Sequence, residues 1–138
     1  MSFRAAVLVV SDRVSAGEAE DRSGPAARDG LAAQGYEVMA VDVVPDEETA
    51  IREQLLGYVA ARIPLVLTSG GTGFAPRDVT PEATAAVITR DAPGLAEMLR
   101  RETHRFTPFT ALSRGRAGIR DATLIINAPG SPKGVVQY

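Results

Sequence analysis

The stretch Leu65-Val66-Leu67-Thr68-Ser69-Gly70-Gly71-Thr72-Gly73 sets a short apolar run directly against a glycine-rich loop. Three consecutive apolar residues after Pro64 read as a strand buried on both faces, the pattern of a parallel sheet with helices on either side. The same pattern stands upstream. Ala5-Ala6-Val7-Leu8-Val9-Val10 is continuously apolar and valine-rich, and Tyr36 to Val44 is a second β-rich run closed by Pro45. Between these runs lie two helical segments. Ser23-Gly24-Pro25 reads as a helix start with Ser23 as its cap, and Gly35 is a stop. Asp46-Glu47-Glu48 opens a second helix with negative charge at its positive end, and Ile51, Leu55, Leu56 and Val59 form its apolar side. The order is β-α-β-α-β. It continues with a helix started by Thr80-Pro81-Glu82, a helix restarted by Asp91-Ala92-Pro93-Gly94, and a last strand Thr123-Leu124-Ile125-Ile126. The expected fold is α/β, a three-layer αβα sandwich around a mostly parallel sheet.

A chain of 138 residues suits one domain, read as spanning 1–138, and 45% hydrophobic with 23% charged residues is a soluble globular balance. A net charge of -2 argues against nucleic acid as a partner. The absence of cysteine excludes disulfides, thiolate catalysis and Cys-ligated zinc, and the single histidine, His104, leaves little for a Ser-His-Asp arrangement. No apolar run reaches the roughly 20 residues of a bilayer span, and the start is not a signal peptide. No membrane association and a cytoplasmic location are expected.

In an open parallel sheet, ligands bind beyond the carboxyl ends of the strands. Four loops leave such ends: Ser11-Asp12-Arg13, Pro45-Asp46-Glu47, Thr68 to Asp78, and Asn127 to Lys133. The glycine loop can bring backbone N–H groups close to an anion, or it can be a plain tight turn. It is neither a Walker A loop nor G-x-G-x-x-G. Asp78 looks spare, because Thr80 followed by Pro81 already supplies a cap. Asp46 can cap the next helix, face the cleft, or both. Two carboxylates on adjacent loops could hold Mg²⁺ against phosphate oxygens. Ser131 with Pro132 can open a helix whose N–H groups form a second anion or nucleobase site, and Lys133, the only lysine, is either a surface charge or a phosphate contact.

The run Ser69-Gly70-Gly71-Thr72-Gly73, followed by Pro76-Arg77-Asp78-Val79-Thr80-Pro81-Glu82-Ala83-Thr84, resembles the MogA/MoaB family of molybdenum cofactor biosynthesis proteins. Ser11-Asp12-Arg13, Pro45-Asp46-Glu47, Ala111-Leu112-Ser113-Arg114, Asn127 and Pro129-Gly130-Ser131-Pro132-Lys133-Gly134 follow the family's order. The resemblance implies a trimeric domain and a molybdopterin adenylyltransferase, which joins molybdopterin to AMP from Mg-ATP and releases pyrophosphate. It implies catalytic, metal-holding roles for Asp46 and Asp78. It places Ser11, Asp12, Ser69, Gly70, Gly71, Thr72, Gly73, Pro129, Gly130, Ser131 and Lys133 at the substrates, with Thr103 at the pterin side, and it implies handover to a molybdenum insertase. Where the family carries serine, this chain carries Thr103. The family also continues into a long helix, whereas this chain stops at Tyr138, so the domain is expected to lack its C-terminal helix.

Two other functions share this pattern: a non-catalytic, MoaB-like molybdopterin-binding protein, and a competence-damage-type nucleotide hydrolase. The acidic and basic residues of Pro45-Asp46-Glu47 and Arg77-Asp78-Val79-Thr80 favour the transferase over the first. Thr72 and the Arg77 to Pro81 run point away from the second. Gly71→Val is expected to abolish pterin binding with little loss of fold, provided the backbone tolerates valine.

Overall fold

The computed structural model describes residues 3–128. Its centre is β1 (Phe3–Val10), followed by α1 (Asp12–Ser15), α2 (Ser23–Ala33), β2 (Tyr36–Val44), α3 (Glu48–Ala60) and β3 (Leu65–Ser69). Then come α4 (Thr80–Val87), β4 (Arg90–Asp91), α5 (Pro93–Thr103), a 3-10 turn (Pro108–Leu112), β5 (Ala117–Arg120) and β6 (Thr123–Ala128). One six-stranded sheet runs β2-β1-β3-β6-β5-β4. The first four strands in that order are parallel, and β5 and β4 join antiparallel at the edge.

Every residue of β1 from Ala5 to Val10 is buried because helices cover both faces. Ala6, Leu8 and Val10 point to the side of α3 and α4, where they meet Ile51, Leu55 and Val87. Val7 and Val9 point the other way, onto Ala27 of α2 together with Leu67 and Ala128. Two cores on opposite faces of one sheet are the physical content of a three-layer arrangement. Burying β1 to this degree removes several apolar side chains from water, each worth about 1.5–3 kcal/mol at full burial.

The antiparallel edge was not expected. β5 reads Ala117-Gly118-Ile119-Arg120, too short and too polar to show as a strand, and it is specified by its tight turn to β6, where Asp121 takes φ 52°. Polar residues also cross the interior. The buried amide of Asn127 donates to Thr68 Oγ1 (2.9 Å) and Thr84 Oγ1 (3.0 Å), and its oxygen accepts from the Arg116 N–H (3.0 Å). β6, β3, α4 and the start of β5 are thereby tied together just below the strand ends.

Among the described residues, no helix is long and apolar enough to cross a membrane.

Candidate functional site

The strand order reverses at β1: the chain goes first to β2 on one side and then to β3 on the other. Loops leaving β1 and β3 therefore diverge, and a crevice opens between them. The structure has a cleft of about 390 Å³ there, lined by Ser11, Asp46, Ser69, Gly70, Gly71 and Asp78 together with the segment from Glu20 to Ser23. Three of the four strand-end loops singled out from the sequence converge on this cleft. The fourth falls partly outside view, since Pro129, Gly130, Ser131 and Lys133 lie outside the described residues.

Asp46 is not a helix cap. The residue before α3 is Glu47, and α3 has no side-chain cap. The Asp46 carboxylate instead turns toward α1, where Oδ2 accepts the Asp12 N–H at 2.8 Å. In return the Asp46 N–H donates to Asp12 Oδ1 at 2.9 Å. That exchange locks the loops after β1 and β2 together, and it sets Asp46 at the positive end of α1. The Asp12 carboxylate is also held by Arg77, through Nε (3.0 Å) and Nη2 (2.8 Å). Asp12 is thus a brace between three loops. Arg77 holds its carboxyl below the usual range, whereas partial burial, with Asp12 and Asp78 nearby, pushes Asp46 above it.

Asp78 closes its own loop: Oδ2 accepts the Ala75 N–H at 3.0 Å, and the Asp78 N–H donates to the Ala75 carbonyl at 2.9 Å. The expected cap beside it is corrected. Thr80 is the first residue inside α4, the flanking Val79 provides no side-chain cap, and Thr80 Oγ1 is buried with no hydrogen-bond partner. Pro81 at the second position removes one of the N–H groups that such a cap would serve. Ser23 likewise lies inside α2, and the Asp21 carboxylate takes the Gly24 N–H at 2.9 Å.

Gly71 has φ 73°, and a Cβ there would collide with Thr80 Oγ1 and lie 3.3 Å from Asp46 Oδ1. The loop folds over the Thr80 side chain, and the Thr80 N–H donates to the Gly71 carbonyl at 3.1 Å. The condition set for Gly71→Val to spare the fold, a backbone that tolerates valine, is therefore not met. A β-branched side chain meets both a left-handed backbone and a buried neighbour. Gly70 (φ 101°) donates its N–H to the Ala128 carbonyl at 3.2 Å. The N–H groups of Gly71, Thr72 and Gly73 have no acceptor among the described residues.

Ser11 lines the cleft while its Oγ caps α1 by accepting the Val14 N–H at 3.2 Å. Thr72 is buried behind the loop. Thr103 stands apart from the cleft: it is buried on α5, and its hydroxyl donates to the Leu99 carbonyl at 2.7 Å. Two features escaped the sequence reading. The wall from Glu20 to Ser23 lay within and beside a stretch read only as polar loop. Arg114 had no local signal except its place in a family-like run.

Among the described residues no cluster of three or more potential metal ligands occurs. Two carboxylates that line one cleft, Asp46 and Asp78, still fit a hard divalent cation that keeps several waters and phosphate oxygens as its other ligands.

The family model described as "probable molybdopterin binding domain" matches residues 6–138. The chain belongs to this family. Within the molybdopterin-binding family, the chain is 41% identical over 132 residues to a molybdopterin adenylyltransferase of Helicobacter pylori, covering 94% of this chain and 75% of that one. It is 40% identical over 131 residues to the molybdenum cofactor synthesis protein cinnamon of Drosophila melanogaster, covering 94% of this chain but only 22% of that much longer protein. Among solved structures, the molybdopterin biosynthesis enzyme MoaB of Thermus thermophilus superposes with a TM-score of 0.91 at 49% identity, covering 98% of this chain and 86% of that one. The mixed α/β architecture is that of the MogA/MoaB proteins.

Proposed function

We propose that this domain adenylylates molybdopterin in molybdenum cofactor biosynthesis. An oxygen of the molybdopterin terminal phosphate attacks the α-phosphorus of ATP, the bond between the α-phosphorus and the bridging oxygen breaks, and pyrophosphate leaves. The observation that carries this reading is the convergence of Asp46, Asp78 and the Gly70-Gly71 turn on one cleft at the switch point of the sheet. The relatives' names supply the substrates. The attacking phosphate is already anionic near neutral pH, so no general base is required, and the lack of a histidine or cysteine in the cleft is no obstacle.

The chemical difficulty is bringing one anion onto another, which positioned donors and cations relieve. The N–H group of Gly71, which lines the cleft, is a donor toward a phosphate in this reading. Arg77, already held against Asp12, is a cation close enough to Asp46 to act on its charge. Asp46 and Asp78 would hold Mg²⁺, which when bound offsets phosphate charge and orients the nucleotide. The braces from Asp12 and Arg77 fix the two loops in advance, so less reorganisation is left for the reacting complex.

ATP as co-substrate, a homotrimer, a cytoplasmic location and handover of the product to a molybdenum insertase belong to the same reading. Exposed Phe74, Phe106, Phe109 and Leu112 support self-association, since such side chains gain from cover. Sedimentation equilibrium tests that part, and a purely monomeric mass at micromolar concentration rejects it. The activity is tested by incubating the protein with Mg-ATP with and without molybdopterin. Pyrophosphate released only with the pterin supports the transferase. Pterin binding without turnover assigns a binding protein, and nucleotide hydrolysis without pterin assigns a hydrolase.

A further inference from the structure

Arg114 lies 36 residues beyond Asp78, yet it makes the densest set of contacts to the loop that carries that aspartate. Its backbone N–H donates to the Thr72 carbonyl at 2.8 Å. Its Nε donates to the Gly73 carbonyl at 2.8 Å, and Nη2 donates to the Asp78 carbonyl at 2.7 Å. Gly73 and Asp78 are the two ends of the loop, so one planar group pins both. The guanidinium is itself held by Glu82 of α4, whose Oε2 accepts from Nη1 at 2.7 Å and Oε1 from Nη2 at 3.3 Å. Between the pinned ends, Phe74 to Arg77 are exposed and have little packing of their own. Asp78 is kept facing the cleft by this clasp, by the single turn from Ala75 to Asp78, and by the neighbouring Arg77, which is held to Asp12.

We infer that Arg114 is a positioning residue for adenylyl transfer, acting through the backbone of Gly73 and Asp78 to aim the Asp78 carboxylate. The inference rests on the proposed reaction for its readout, but its geometry does not. Arginine is needed because its donors are rigidly spaced and serve two carbonyls and a carboxylate at once. A lysine ammonium is a point donor on a flexible stem and cannot span both ends of the loop. Arg114 does not line the cleft formed by Asp46, Asp78 and Gly71, so it is not a substrate ligand there.

The test compares Arg114→Lys, Asp78→Asn and the double variant in the full chain, by single-turnover AMP transfer and by amide hydrogen exchange. Arg114→Lys is expected to lower the transfer rate roughly 10- to 100-fold while the KM for molybdopterin moves less than threefold. It is expected to speed exchange at the Ala75 and Asp78 amides. In the Asp78→Asn background the same change is expected to cost less than threefold, because the group it aims is already disabled. Equal losses in both backgrounds, or unchanged exchange at Ala75 and Asp78, would overturn the inference. Should Arg114→Lys fail to fold, Glu82→Gln provides the second route. It loosens the guanidinium and is expected to give a smaller loss with the same dependence on Asp78, and a loss independent of Asp78 rejects the clasp. If the wild-type protein transfers no AMP, the proposed reaction fails, and the exchange measurement still decides whether Arg114 orders the loop.

Discussion

Replacing Gly71 with alanine tests whether the glycine loop is a fixed backbone shape or only a convenient one. At φ 73° an alanine enters a region that costs an L-residue about 1–2 kcal/mol. The added methyl also runs into Thr80 Oγ1, and Thr80 is fully buried on α4, so it cannot swing into solvent. Overpacking of this kind costs about 1–3 kcal/mol, which brings the total to about 2–5 kcal/mol. For a chain of 138 residues the unfolding entropy at the midpoint is about 0.3 kcal/mol/K, so Tm should fall by about 7–17 °C. Differential scanning calorimetry reads this directly. Thr80→Ala supplies the control, because it removes the colliding atom. In a double-mutant cycle, Gly71→Ala should cost about 1–3 kcal/mol less when Thr80 is already alanine. A Gly71→Ala protein that melts with the wild type would refute the reasoning, as would strict additivity with Thr80→Ala.

Gly57 offers the opposite outcome: it sits within α3 with nothing within 4 Å of its missing Cβ, so Gly57→Ala should stabilise by about 0.5–1 kcal/mol in the same assay. Asn127→Ala strips acceptor and donors from the buried group that joins Arg116, Thr68 and Thr84, and chemical denaturation should show a loss of about 2–4 kcal/mol. Asp46 has a carboxyl raised above 3.8, so its charged form is less favourable folded than unfolded, and the penalty is present once pH exceeds its folded value. Asp46→Asn should therefore raise Tm at pH 7, and the gain should vanish as pH falls through that value toward 3.8 and below; a gain independent of pH assigns it to another cause.

The fold was legible where burial leaves a continuous apolar signal. Ala5 to Val10 and Leu65 to Leu67 sit in the middle of the sheet with helices on both sides, and nothing polar interrupts them. Tyr36 to Val44 was equally plain, although as an edge strand it is only partly buried. β5 was invisible because its pairing, not its composition, makes it a strand. In the site, glycines and acids at strand ends pointed to loops that line the cleft. Their roles were read less well, because capping from sequence assumes that a side chain serves the nearest helix. Asp46 serves α1, 34 residues away in sequence, and Thr80 serves none. Asp12 is also the joint of three loops, a property of distant Arg77 and Asp46 that no local pattern carries.

The central claim is that Asp46 and Asp78 across one cleft make this an adenylyl-transferring site, and Asp78→Asn probes it most directly. The substitution keeps an oxygen for the Ala75 N–H and removes only the charge, so the melting temperature should stay near that of the wild type. Single-turnover AMP transfer from Mg-ATP to molybdopterin, followed across a Mg²⁺ series, should fall about 100-fold or more, roughly 3 kcal/mol of transition-state stabilisation, while pterin binding largely survives. Wild-type transfer rates in Asp78→Asn at every Mg²⁺ concentration would contradict the account.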